Sequence, residues 1–224
     1  MTGDEQDGQA IGEAQLGSAP GSLALSFAPV ASAEQQAVPA GVARVQGFVN
    51  TCEIDGDEVV EGLGTPTDLA AWLEAHGLLE AGNALDEDDL RQAIEVREAL
   101  RELLEGNAGH EVDPTAISAL REAAAAAPVA IRFDPGGGAS FAPAAHGLRA
   151  ALGRIFADIA TATADGTWAR LKVCRNDECR WAYYDGSRNR SGRWCSMASC
   201  GNRMKGRAYR SRARAPSAEG GSTA

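Results

Sequence analysis

Residues 194–203 read WCSMASCGNR, and two of the chain's five cysteines, Cys195 and Cys200, fall inside this stretch. The same spacing occurs upstream as Cys174-RNDE-Cys179, and fifteen residues separate the two pairs. Four thiolates arranged as two pairs can close a tetrahedron around one Zn2+ ion and leave no position open for water, so the expected role is structural. Each pair needs one tight turn to bring its sulfurs together, and the spacer is long enough for a hairpin to return the chain. Two disulfides and a thiol redox switch are the alternatives, and a reducing compartment favours the metal over both. A segment this small has little core of its own, which predicts that metal binding and folding are coupled.

Local structure follows outward from the cysteines. RLKVC and RWAYYD alternate like two strands, GSRNRSGR (residues 186–193) is a glycine- and serine-punctuated loop, and a helix follows Cys195 with Ser196 as its cap. Along that helix Arg207, Arg210 and Arg214 lie four, seven and eleven positions after Arg203, so the four side chains leave the axis within about 60° of one another. Met197, Met204 and Ala208 share another side, expected to pack on the zinc hairpin.

A stripe of guanidinium groups suits nucleic acid, because each can hold a phosphate or the O6/N7 edge of guanine by two hydrogen bonds. Lys205 lies on the same helix, and Arg188, Arg190 and Arg193 in the loop would add phosphate contacts that position without specifying sequence. The alternative is a basic end docked on its own acidic body. The aromatic set Trp181, Tyr183, Tyr184 and Trp194 either stacks on bases or, as expected here, fills a small zinc fold.

Charge divides the chain in the same way. The 224 residues sum to −10, yet residues 1–169 hold 8 Lys/Arg against 27 Asp/Glu, while residues 170–214 hold 13 against 3. Such a basic end on an acidic body is the pattern of a segment meant for a polyanion. A hydrophobic content of 44% is enough for a buried core. No apolar run approaches the roughly 18 residues of a membrane span. LALSFAPVASAE (residues 23–34) imitates a signal peptide but follows acidic residues where a basic start is required. The expected location is the cytoplasm.

The remainder reads as a leader over residues 1–41, with one short strand near Leu23–Phe27, a body over 42–166, the zinc module over 167–214 and a tail over 215–224. VARVQGFVNTCEID opens the body as a helix or a strand, since its periodicity does not decide. Thr65-Pro66 with Asp68 starts a helix that Gly77 ends. Asp86 starts a second, with Leu90, Ala93, Ile94, Leu100 and Leu104 as its stripe and Gly106 closing it. Asp113-Pro114 starts a third, VAIRF and ASFAP flank DPGGG as a hairpin, and HGLRAALGRIFADIATA is a fourth helix. The fold class is therefore α+β, mainly α: a helical body with a small β-hairpin, followed by a treble-clef-like zinc finger.

Arg97 lies inside the second helix's apolar stripe, so it needs a buried acceptor. A structural carboxylate or carbonyl is the expected one, and the alternative is a small anionic effector in a pocket shared with Asn50 and Thr51. His76, His110 and His146 have no neighbouring acid or cysteine and are read as structural, and Cys52 as a small buried side chain. No nucleophile elbow, phosphate loop or HExxH motif is present, so no enzyme chemistry is expected.

The run CRNDECRWAYYDGSRNRSGRWCSMASCGNRMKGRAYR resembles the CGNR zinc finger, named for Cys200-Gly201-Asn202-Arg203. GFVNT (47–51), DLAAWLEAHGLL (68–79) and VREALREL (96–103) resemble the ABATE domain that accompanies it. The resemblance covers about residues 42–213. It implies a stress-induced transcriptional regulator with one structural zinc on Cys174, Cys179, Cys195 and Cys200, a finger that binds DNA and a body that senses a signal. An RNA-binding protein of the same architecture is the nearest alternative. A ligand-binding or enzymatic body with a purely structural finger is the next.

Overall fold

A computed structural model describes residues 37–214. The strand expected near Leu23–Phe27, most of the leader and the tail lie outside the described residues. The body begins with helix α1 (Ala40–Val49), which buries Val42, Val45, Phe48 and Val49. The end of VARVQGFVNTCEID is a strand: β1 (Cys52–Asp55) pairs antiparallel with β2 (Glu58–Glu61), with Asp55 opposite Glu58. Gly56 turns the hairpin at φ +67°, where a side chain would be strained. Gly56-Asp57 is the two-residue loop, with glycine at its first position, and is a hairpin signal in the sequence.

Helix α2 (Pro66–Ala75) starts as the sequence predicts, with the Thr65 hydroxyl accepting from the Asp68 amide at 3.2 Å. Helix α3 (Glu87–Asn107) opens on a reciprocal cap: the Asp86 carboxylate accepts from the Asp89 amide at 2.9 Å, and the Asp89 carboxylate accepts from the Asp86 amide at 3.2 Å. It runs one residue past Gly106. That glycine is needed instead for close packing, since a Cβ there would lie 2.5 Å from Val112, and the chain turns away at Gly109, φ +92°. Helix α4 (Pro114–Ala126), the hairpin β3 (Val129–Phe133) with β4 (Ala139–Pro143), and helix α5 (Gly147–Ala164) follow as expected.

One 3-10 turn (Trp168–Arg170) leads to β5 (Leu171–Val173), antiparallel to β6 (Ala182–Tyr184). A π turn (Met197–Gly201) then opens α6 (Asn202–Arg214). Hairpin, second cysteine pair and helix thus follow in treble-clef-like order. The hydrophobic core crosses the boundary between body and finger. Phe48, Leu69, Leu73, Leu100, Leu104, Leu152 and Ile155 form its centre, and Leu171, Val173 and Ala182 of the β5–β6 hairpin belong to the same cluster. Each is fully or nearly fully withdrawn from water, so hydrophobic burial fastens the finger's hairpin to the body.

Candidate metal centre and basic helix

The first knuckle extends the β5–β6 ladder. The Cys174 amide donates to the Trp181 carbonyl at 2.9 Å, and the amides of Cys179 and Arg180 both donate to the Asn176 carbonyl, at 2.7 and 3.1 Å. Arg180 closes this turn in the left-handed region, φ 46°, a conformation that costs an arginine roughly 1 kcal/mol. The body holds it there. Its guanidinium pairs with Glu102 at 2.8 Å and Glu105 at 2.6 Å on α3, and its carbonyl accepts from Arg101 at 3.0 Å.

The second knuckle is built on the π turn. The Ser196 hydroxyl accepts from the Ser199 amide at 3.3 Å, and the Gly201 amide donates to the Ser196 carbonyl at 2.9 Å. This brings Cys200 to the start of α6. A Cβ on Gly201 would meet the end of the Met197 side chain at 2.8 Å and Trp194 at 3.3 Å, so a larger residue there would displace the Met197 thioether. Met197 itself is 54% exposed, Ala208 is exposed and only Met204 is half-buried, so the apolar side expected to pack on the zinc hairpin does not form. The π turn rotates Met197 relative to α6, and straight 100° counting does not carry through it.

All four sulfurs lie within 4.8 Å of one another, with Cys179–Cys195 and Cys195–Cys200 at 3.7 Å. A zinc ion with bonds of about 2.3 Å to four tetrahedral sulfurs sets them about 3.8 Å apart. A disulfide requires about 2.05 Å. The donor set and its spacing therefore fit one zinc ion. Crowding tells the same story electrostatically: hydrogen bonds to Cys174 raise the Cys179 and Cys195 thiols, while those that Cys174 receives from Cys179 and Cys195 hold it far below the usual thiol range. Four thiolates this close need a cation between them. Asn176 is fully buried beside them and directs its side-chain amide at the Cys200 sulfur, 3.8 Å away, while its Oδ1 and the Tyr183 hydroxyl have no hydrogen-bond partner among the described residues.

The basic residues divide into paired and unpaired sets. Arg203 pairs with Asp55 on the β1–β2 hairpin at 2.8 Å, and Arg207 pairs with Glu178 in the first knuckle. Arg188, Arg190, Arg193, Lys205 and Arg210 are exposed, and their side chains form no ion pair with the described residues. Helix α6 reaches Arg214. Of the aromatic set, Tyr183 is buried and Tyr184 packs against the body's core; Trp181 and Trp194 are half-buried.

Arg97, 2% exposed, has both ends of its guanidinium on Glu61, at 2.6 and 2.7 Å, its Nε on Glu98 at 2.8 Å and a longer contact to Thr51 at 3.4 Å. Burial raises the Glu61 carboxyl, but the Arg97 and Leu63 hydrogen bonds outweigh it and leave the group below its ordinary value. Asn50 is engaged elsewhere. Its amide donates to the Ala182 carbonyl at 2.8 Å and its oxygen accepts from the Ala182 amide at 2.8 Å, which adds a side chain to the exposed edge of β6.

The residue that sequence reading missed is Arg101. It is fully buried and donates to the carbonyls of Val49 (2.7 Å), Cys52 (3.1 Å) and Arg180 (3.0 Å), with Glu98 at 3.0 Å as its counter-charge. One guanidinium thereby ties α1, β1 and the first knuckle together. Its signal was available, since Arg101 follows Arg97 by four positions and so shares its helix face.

Residues 43–166 match the family ABATE, described as "Putative stress-induced transcription regulator". The chain belongs to the ABATE family. Residues 170–213 match the CGNR zinc finger, which covers all four cysteines. No curated protein matches the chain. In this ABATE member the two matched regions meet at the turn before β5, and the core described above runs through that junction. Among the described residues, no helix is long and apolar enough to cross a membrane.

Proposed function

We propose that the chain is a cytoplasmic transcription regulator, a binding protein rather than an enzyme, whose zinc-held helix α6 contacts DNA. The observation that carries this reading is the position of the metal centre: Cys200 is buried at the root of a helix whose Lys205 and Arg210 stand exposed, without carboxylate partners among the described residues. A structural zinc fixes that root, so the cationic side chains are presented with little further loss of freedom on binding. Arg188, Arg190 and Arg193 supply backbone contacts from the neighbouring loop. Arg203 and Arg207 join them by exchanging exposed carboxylates for phosphates, an exchange of small cost because exposed ion pairs are weak.

RNA is the second reading, and Tyr209 favours it: at 70% exposure on the same helix it offers a ring on which an unpaired base can stack. A competition among duplex DNA, single strands and structured RNA against the zinc-loaded chain separates the two. Arg207→Ala with Arg210→Ala is expected to weaken binding and reduce the salt slope by about one for each lost phosphate contact. An unchanged slope in the double variant would remove α6 from the interface.

A further inference from the structure

Between the end of α3 and the finger loop lies a cleft of about 310 Å3. Asn107, Ala108 and Gly109 form its body wall, and Lys172, Arg175 and Arg190–Arg193 form its finger wall. Four cationic residues therefore line one concavity, and no carboxylate lines it. We infer that this cleft is a binding site for a phosphoryl group. One source of such a group is the backbone of the proposed nucleic acid, and only that source rests on the function proposed above; the other is a small phosphorylated solute.

Two of the four charges, Lys172 and Arg175, are held in place. The Lys172 ammonium, on a residue 6% exposed, is fixed by the Asp185 carboxylate at 2.8 Å and the Arg190 carbonyl at 2.5 Å. Asp185 neutralises no other cation of the cleft, because its oxygens also accept from the backbone amides of Ser187 at 3.0 Å and Gly192 at 2.8 Å. Arg175 gives one Nη2 donor to the Ala108 carbonyl, which covers the negative end of α3 and leaves the rest of its fork available. Arg190 sits in the left-handed region at φ 52°, a strained conformation in the loop that lines the cleft. Neither Arg190 nor Arg193 has an ion-pair partner among the described residues. With Lys172 paired to Asp185, Arg175, Arg190 and Arg193 are the cleft cations without a carboxylate among the described residues; they repel one another, and an anion that accepts from several of them at once removes that repulsion. A tetrahedral phosphoryl group matches the two-pronged geometry of guanidinium.

The test is calorimetric titration of the full-length, zinc-loaded chain with pyrophosphate at low salt. One saturable site is expected, weakened about tenfold by Arg193→Gln, which removes an exposed charge, and similarly by Arg190→Asn, since asparagine tolerates the left-handed backbone. Arg121→Gln, exposed on α4 and remote in sequence from the cleft residues, leaves the affinity unchanged. If duplex DNA displaces pyrophosphate, the site takes a backbone phosphate; if both bind together, it takes a separate phosphorylated solute. No saturable binding, or an affinity in both cleft variants equal to that of the unaltered chain, overturns the inference. Retained pyrophosphate binding in a chain that ignores all nucleic acids overturns the proposed function and leaves this site standing.

Discussion

Cys174 and Cys179 leave a hairpin whose Leu171, Val173 and Ala182 lie within the body's core, and whose backbone is further held by Asn50, Arg101 and Arg180. Cys195 and Cys200 ride on a segment attached by polar contacts: Arg203 to Asp55 and Arg207 to Glu178, both exposed, the Arg175 amide to the Arg193 carbonyl at 3.0 Å, and the loop's Gly192 amide and Arg190 carbonyl to Asp185 and Lys172 at 2.8 and 2.5 Å. One half of the metal centre belongs to the body by hydrophobic burial. The other half has no comparable apolar anchor in that core, and its order is expected to depend on the metal. Buried apolar area stabilises at about 25 cal/mol per Å2, whereas an exposed ion pair contributes 0–1 kcal/mol at most, so the two attachments are unequal in strength. A zinc ion on these sulfurs joins a half held by hydrophobic burial to one held by polar contacts, and the second half carries the cationic surface.

Cys195→Ser breaks this comparison most severely. The variant is expected to lose its zinc, and hydrogen exchange should show α6 unprotected while β5–β6 and the body helices stay protected. Loss of protection in β5–β6 as well would mean that the metal, rather than the core, holds the hairpin. Next in size is Arg101→Met, which leaves the carbonyls of Val49, Cys52 and Arg180 without their donor. It should cost about 3 kcal/mol in a denaturant titration, with body and first knuckle weakening together. A smaller loss confined to the finger would show that Arg101 serves the knuckle alone. The smallest effect belongs to Asp55→Asn, which removes the carboxylate that Arg203 pairs with among the described residues. Nucleic-acid affinity should rise, by less than about fivefold, as expected for an exposed pair. A fall in affinity would place the β1–β2 tip in the interface.

The metal ligands were legible because paired cysteine spacing is local: each knuckle is a turn of a few residues, and the chemistry of thiolate and zinc sets the rest. The helix starts at Thr65, Asp86 and Asp113 were legible for the same reason, since a cap acts within one turn. Ambiguity lay where the determinants are not local. VARVQGFVNTCEID contains both α1 and β1, and only the packing of Phe48 and Val49 into the core, with β2 beside β1, separates helix from strand. Gly106 was read as a helix stop because glycine often is one, yet its requirement comes from Val112 across a turn.

By itself the sequence determined the four zinc ligands, the mainly helical body, the hairpin around DPGGG and the basic end that follows an acidic chain. Tertiary structure alone decided that the finger's hairpin lies in the body's core, that Arg97 spends its donors on Glu61 and Glu98, that Asn50 binds β6, and that Arg203 and Arg207 are paired while Lys205 and Arg210 are not. Capping, turn chemistry and metal ligation act over a few residues and leave their mark in spacing. The partners of a buried charge and the face on which a hairpin docks are set by segments far apart in the chain, and no periodicity records them.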